Sequence, residues 1–596
     1  VSPRLDPLPG VRNPPVVRDV VAILRERFRD ALERAFGSEI AGTDPRIRPA
    51  SDPRFGDYQA DLAMGLARSL RKKPRDVAGA LVAALDLADL CDEVSIAGPG
   101  FINLRLGRGF VAGQLAALRE DPRLGVPEVE RTETVVIDYS CPNVAKEMHV
   151  GHLRSTLIGD ALARILGFQG HRIVRQNHLG DWGTQFGMVI EHLVETGRTQ
   201  GDWTVSDLNA FYVEAKRRFD REAGFAERAR NRVVDLQRGE PETVAVWRRL
   251  VAVSTRHFQE IYRRLGVLLT PKDIRGESFY NDRLPEVLEE LADRGLLRES
   301  QGAAVVDLPG YAKKDGEPLP LLVRKSDGGY LYAATDLAAL RFRVRELGAD
   351  RVVYVTDARQ AQHFAMVFDA ARRAGWLDDR VRLDHVRFGT ILGPDRKPFR
   401  TREGGTVRLV EVLDEAERRA FDIVTEKSPD LPEAERREIG RAVGIGALKY
   451  ADLCNDLVRD YVFDWDRLLS FEGNTAPYLQ NAHVRIRSIL RRGGFAPEAL
   501  SAGPVACDAP AERTLALRLL RLPATLEAVG ETLQPHLLCT YLFELASEFH
   551  RFYEQCPVLR PEDPSLREPR LHLCDAVGRT LALGLELLGI EPLDRM

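Results

Sequence analysis

Apolar positions along the chain change their period several times, and each change marks an element. Helical spacing over Val17–Phe36 predicts an opening helix, and a second helical pattern runs over Gln59–Leu70. The segment SIAGPGFINLRL (95–106) reads as two short strands around a Gly-Pro-Gly turn. Glu120–Arg131, with Asp121-Pro122 and Pro127, reads as a linker. Next, TVVID (Thr134–Asp138) is a short apolar strand and Ser140–Asn143 a turn. From Gly151 the period becomes helical, with Leu153, Leu157, Ala161 and Ile165 on one face, flanked by Ile158, Leu162 and Leu166. Gly167 and Gly170 end that helix, and a further strand is expected at Arg172–Arg175.

A strand, a tight turn and a helical return build a parallel sheet, whose ligands bind outside the carboxyl ends of its strands. The stretch DYSCPNVAKEMHVGH (138–152) falls at that edge. Residues 195–310 are charged and helical, with few strand signals before AAVVDLP, and read as an insertion over the sheet. Strands and helices alternate again at Tyr330–Leu340, Arg351–Thr356 and His385–Leu392. From about Arg437 to Met596 the pattern is almost wholly helical, divided by the turn-like Ala502–Pro510. A length of 596 residues suits about three or four domains. The expected fold is α/β: a Rossmann-like parallel-sheet catalytic core at 130–440 with a helical insertion at about 195–310. An N-terminal α/β domain at 1–115 precedes it, and a C-terminal all-α helical-bundle domain at 441–596 follows.

Composition narrows the classes. No run of about 18 apolar residues exists, so no transmembrane helix and no membrane partner are expected. The opening VSPRLDPLPGVRNPP has charge and prolines without an apolar core, which does not read as a secretory signal. Seven scattered cysteines with no CxxC pair argue against a zinc ribbon or a disulfide framework and suit a reducing cytoplasm. A net charge of −4 is unlike a protein that coats DNA, so a nucleic-acid partner would be held by local basic patches.

The candidate chemistry sits in HVGH. His149 and His152, three apart at the mouth of a helix, share a face. The helix start favours anions, Gly151 lets a flat base or a phosphate approach the backbone, and Lys146 adds a mobile cation. Together these suit a triphosphate. On the four residues alone two other readings stand: a pair of metal ligands lacking a third, or a capping histidine on an ordinary helix.

The longer string, DYSCPNVAKEMHVGHLRSTLIGDALARILGFQGHRIVRQNHLGDWGTQFG, resembles the arginyl-tRNA synthetases among class I aminoacyl-tRNA synthetases. The resemblance continues in order through GDYQADLAMGLA, GPGFIN, YLYAATDLAALRFR, VTDARQAQHF, FGTILGPDRKPFRTREGGTV, NTAPYLQNAHVRIRS and LGIEPLDRM, nearly the whole chain. It implies an enzyme that activates L-arginine with ATP and Mg2+ and then esterifies the 3′-terminal adenosine of arginine tRNA. It also implies a cytoplasmic monomer.

By resemblance, His149, Gly151 and His152 hold ATP, and no protein-held metal is implied. The KMSKS-like loop is Phe399-Arg400-Thr401-Arg402, so Arg402 stands where the final lysine would be, with Lys146 sharing its charge. Without the resemblance PFRTREGG reads as a solvated basic hairpin. The arginine pocket is implied at Asp138 and Asp336, with Asn143, Tyr332 and Gln360 as hydrogen-bonding partners. Carboxylates suit the forked guanidinium, and Tyr332 and Asp336 share a face if their segment is helical. The C-terminal helices are similar to an anticodon-binding domain, with Tyr478, Tyr541 and Met596 as candidates against loop bases. The N-terminal domain, with Tyr58, is similar to a module that reaches the tRNA elbow. A non-catalytic tRNA-binding paralogue, a class I synthetase for another amino acid, with lysine the obvious rival, and a small-molecule nucleotidyltransferase remain as alternatives.

Overall fold

A computed structural model describes residues 19–50, 52–313, 315–399, 407–495 and 503–596. The first helix, Val20–Phe36, starts where the Asp19 carboxylate accepts from the Val21 amide at 2.8 Å. It packs near a four-stranded antiparallel sheet ordered Ile47–Pro49, Tyr58–Ala60, Phe101–Leu106, Cys91–Ala97. The two strands of SIAGPGFINLRL form the expected hairpin. The helix expected from Gln59 begins only at Leu62, because Gln59 lies in a strand and its side chain bonds Asn103 across the ladder at 2.8 Å.

The central sheet has four parallel strands in the order Arg382–Phe388, Arg351–Asp357, Thr134–Asp138, Arg172–Gln176. The chain leaves Thr134–Asp138 in one direction and returns beyond it in the other. The crevice between the carboxyl ends of Thr134–Asp138 and Arg351–Asp357 is thus a topological switch point. Alternate strand residues serve two cores. Val135, Ile137, Val353 and Val355 join the large cluster that includes the helix Val150–Phe168 and the C-terminal helices. Val136, Val352 and Tyr354 face a second cluster built with the helices Leu284–Asp293, Tyr332–Arg345 and Ala361–Arg373.

Four helices, Thr184–Glu195, Val205–Arg221, Ala223–Gln237 and Pro241–Leu265, lead into and through the first half of the stretch expected as an insertion at about 195–310. A three-stranded antiparallel sheet, Leu297–Ser300, Ala303–Val306 and Leu321–Arg324, follows them. The C-terminal part opens with the helical hairpin Leu409–Lys427 and Glu433–Leu453. It continues through Ala476–Arg492, Pro510–Leu519, Leu522–Thr532, His536–Gln555 and Arg567–Leu587. Tyr461–Val462 departs from this helical run: it pairs in parallel with Ile391–Leu392 and ties the C-terminal part to the central α/β part.

Candidate functional site

The loop Tyr139–Met148 leaves the carboxyl end of Thr134–Asp138 at this switch point and leads to the helix Val150–Phe168. Three non-glycine residues there are left-handed, Ser140 (φ 73°), Cys141 (φ 47°) and Ala145 (φ 64°), a cost that surrounding bonds must offset. The Ser140 amide donates to Ser155 Oγ at 2.9 Å, and that hydroxyl donates to the Val355 carbonyl at 2.7 Å. The insertion helix Pro241–Leu265 adds further bonds. Tyr262 OH lies 2.7 Å from Ser140 Oγ and accepts from Asn177 at 3.0 Å, and Ser254 Oγ accepts from the Ala145 amide at 3.0 Å. The insertion therefore braces the loop from above, a role its charged sequence did not announce.

His149 caps the helix Val150–Phe168. Its Nδ1 accepts from the Gly151 amide at 3.1 Å, and His152 Nδ1 accepts from the His149 amide at 3.1 Å. Both Nδ1 atoms are acceptors, so each neutral ring carries its proton on Nε2. Burial and then His149 push His152 down to about 3, and burial and then Lys146 lower His149. The rings lie 4.0 Å apart. Gly151 is needed locally, since a Cβ there would approach His149 Cε1 to 2.8 Å.

Lys146 Nζ lies 4.4 Å from the centroid of the Tyr212 ring. Arg402 lies outside the described residues, but both flanks of its segment are fixed. Phe399 stacks on Phe463 with centroids 4.9 Å apart, and Arg408 forms a bridge with His149 while the Val150 amide donates to the Val407 carbonyl at 3.0 Å.

The expectation for Asp138 is corrected. Its carboxylate is buried and both oxygens have internal partners: Arg343 Nη2 donates to Oδ2 at 2.6 Å and the Cys141 thiol to Oδ1 at 3.0 Å. Burial opposes the charge most strongly, yet Arg343, His178 and the Cys141 thiol together hold the carboxyl below its ordinary value. A guanidinium is already there, and it belongs to the protein.

Asp336 does sit on a helix with Tyr332, Tyr332–Arg345, and its Oδ2 lies 2.6 Å from His363 Nε2. Burial works against a charged His363 ring, but the hydrogen bond and charge of Asp336 hold it above its ordinary value. Gln360 is exposed on the turn that leads into the helix carrying His363, and Tyr332 is 72% exposed. Asn143 is exposed and bridges Gly180, so it meets the turn that carries Asp181.

Glu277 is the residue that sequence reasoning missed. Burial, then the charges of Asp181 and Asp336, push its carboxyl up to about 8. Asp181 accepts from the Ser278 amide at 2.9 Å and hydroxyl at 2.7 Å, and a Cβ on Gly276 would collide with its carboxylate. Glu277, Asp181 and Asp336 crowd acidic charge into one place, which suits a cationic ligand. The only sequence signal was the glycine beside Glu277.

Two of the four expected tRNA contacts are corrected. Tyr541 is buried among Leu538, Leu542 and Leu545 on the apolar face of its helix. Tyr58 is 1% exposed in the core of the N-terminal sheet, under Arg521 from the C-terminal part. Neither ring has a face open to a base. Tyr478 is half-buried, its hydroxyl 2.9 Å from His550 Nδ1, and Met596 is half-buried against the main core.

Residues 115–465 match the family described as tRNA synthetases class I (R), catalytic domain. Residues 479–596 match the DALR anticodon binding domain, and residues 22–106 the arginyl tRNA synthetase N terminal domain. An arginine–tRNA ligase of Cellvibrio japonicus is 52% identical over 553 residues, which cover 92% of this chain and 95% of the relative. One of Thermobifida fusca is 51% identical over 580 residues, 97% of this chain and all (100%) of the relative. The crystal structure of an arginyl-tRNA synthetase from Plasmodium falciparum superposes with a TM-score of 0.86 at 28% identity, covering 98% of this chain and 100% of that one.

Proposed function

The chain belongs to the arginyl-tRNA synthetase family of class I, and from that premise we propose which of its residues perform the ligation. The enzyme joins L-arginine to tRNA at the expense of ATP. The arginine carboxylate attacks the α-phosphorus, a new P–O bond forms and pyrophosphate leaves. A tRNA ribose hydroxyl then attacks the activated carbonyl, and AMP leaves. No protein nucleophile is required, so the protein contributes position and charge stabilisation.

The observation that carries this reading is the pair of Nε2–H donors on His149 and His152 at the start of a helix. In this reading they donate to phosphate oxygens as charge builds there, and Lys146 with Arg402 supplies the cationic charge. Mg2+ is implied with ATP. The described residues offer no group of three His, Cys, Asp or Glu side chains fit to hold it.

The guanidinium is read by Glu277 and Asp336, with Asn143, Tyr332 and Gln360 as neighbours, while Asp138 shapes the loop through Arg343 and Cys141. An analogue without a guanidinium leaves the half-buried Glu277 and Asp336 carboxyls without a ligand partner, and loss of such pairing can discriminate by about four to five orders of magnitude. The modules at 441–596 and 1–115 are assigned to the anticodon and the tRNA elbow, with Tyr478 and Met596 the remaining described candidates for base contact. A cytoplasmic monomer without DNA or membrane partners completes the proposal. No described helix is long and apolar enough to cross a membrane.

Arginine-dependent ATP–pyrophosphate exchange, with tRNA present, tests the core of it. His152→Ala is expected to slow exchange by about 10²–10³-fold, the scale of losing one preorganised donor. Near-normal exchange would remove His152 from the phosphate site.

A further inference from the structure

The insertion helix Val205–Arg221 touches the signature loop at two consecutive residues. The Tyr212 ring lies under the Lys146 ammonium, 4.4 Å from centroid to Nζ, and the Ser206 hydroxyl donates to Glu147 Oε1 at 2.9 Å. Glu147 also faces Arg408 at 3.5 Å, just beyond the segment that carries Arg402. Lysine carries its charge on a flexible four-carbon stem with many rotamers. For Lys146 to meet a triphosphate at a defined point, something must restrict that stem. Among the described residues, no carboxylate within ion-pair distance of Lys146 is found, and the partner recorded for its ammonium is the π face of Tyr212.

That choice of partner has a chemical logic. A carboxylate would neutralise the ammonium and compete with phosphate for it. An aromatic face holds the cation through its quadrupole, leaves the charge intact and does not repel an incoming anion as a carboxylate does. Tyr212 is itself half-buried and packed on the main core, so the ring is a fixed surface.

We propose that Tyr212 is a positioning residue for adenylate formation: it holds the Lys146 ammonium, still fully charged, in place for the triphosphate of ATP. This rests on the reading of Lys146 as a phosphate-facing cation. The helical insertion thereby contributes to the ATP site directly, through one aromatic ring on the helix Val205–Arg221.

The test is a double-mutant cycle on the full-length enzyme with ATP, Mg2+, arginine and tRNA, scored by pyrophosphate exchange. Tyr212→Leu keeps apolar bulk but removes the π face, and is expected to lower kcat/KM for ATP by about three- to thirtyfold, the range of a cation–π contact. Tyr212→Phe keeps the face and should restore most of the wild-type value. In a Lys146→Met background Tyr212→Leu should add no further loss, because its effect runs through the ammonium. Wild-type kinetics in Tyr212→Leu, or a loss that persists undiminished in the Lys146→Met background, would overturn the proposal. Wild-type kinetics in Lys146→Met would instead overturn the reading of Lys146 on which it rests.

Discussion

Glu277 shows how charge and burial decide the behaviour of single residues. Its carboxyl, pushed up to about 8, holds a proton at neutral pH when no cation faces it. In the proposed pocket a guanidinium pairs with the ionised form, so arginine binding would release that proton. Affinity for arginine should therefore rise with pH until about 8 and level off above it. Below that point each unit of pH costs up to about tenfold. Glu277→Gln should raise the KM for arginine by about 10- to 100-fold, the scale of a lost charge-assisted contact, and should flatten the profile between roughly pH 6 and 8. An unchanged slope in that variant would assign the titration to another group. The sequence made the ATP half of the site legible because His149, Gly151, His152 and Lys146 lie within one turn of helix and its approach. Of the arginine half it offered Asp336 but hid Glu277 and Asp181, which meet Asp336 only after folding. It also misjudged Asp138, since nothing local reveals that Arg343 arrives from a helix over 200 positions away to pair with it. Tyr541 and Tyr58 were chosen as aromatics, and their bulk serves the core instead.

Among the elements, the helix Val150–Phe168 does the most connecting work. Arg154, two residues after HVGH, is fully buried and donates to buried Asp452 on Glu433–Leu453 at 2.7 Å and to the Arg459 carbonyl at 3.2 Å. The pair joins the ATP helix to the C-terminal helical hairpin and to the segment that pairs with Ile391–Leu392. Removing one charge strands the other in a dry interior, so Asp452→Ala should cost about 3–5 kcal/mol. Replacing both partners with apolar residues, Arg154→Met with Asp452→Leu, should recover much of it. Thermal midpoints compare the three proteins, and an equal fall in single and double variants would trace the loss to packing rather than to charge. The helix itself was legible because its apolar period is long and regular, and TVVID because its apolar run is short and bounded. The helix over Gln59–Leu70 was read too early because three residues are too few for period alone to separate strand from helix.

The whole molecule is held together by guanidinium contacts between distant segments. Arg513 donates to Asp57 at 2.6 Å and Arg108 pairs with Asp508 at 2.7 Å, docking the N-terminal sheet on the C-terminal helices. The final segment is tied down by Gln480 on the Glu591 carbonyl at 2.9 Å, His483 on the Leu593 carbonyl at 2.8 Å and the buried Lys449 amine on the Gly589 carbonyl. Burial lowers Lys449 from 10.5 to about 8. Below about 8 the cost of burying its charge is fully present, and between about 8 and 10.5 the unfolded chain holds more protons, so stability from this group rises with pH. Wild type should thus gain thermal midpoint relative to Lys449→Met as pH climbs from about 7.5 to 9.5, and a constant gap would mean that Lys449 is not titrating there. The two imidazoles at the head of the ATP helix are uncharged, and the chain around them carries −4 overall. Long-range attraction for two polyanionic substrates therefore falls to a few cationic side chains, and dissolved salt screens it over about 8 Å at physiological ionic strength. The uncharged donors act only at hydrogen-bond reach, where screening has little hold. Arrival and commitment are separated in range: the surrounding electrolyte governs how often a nucleotide reaches the crevice, and barely touches what happens once it is seated.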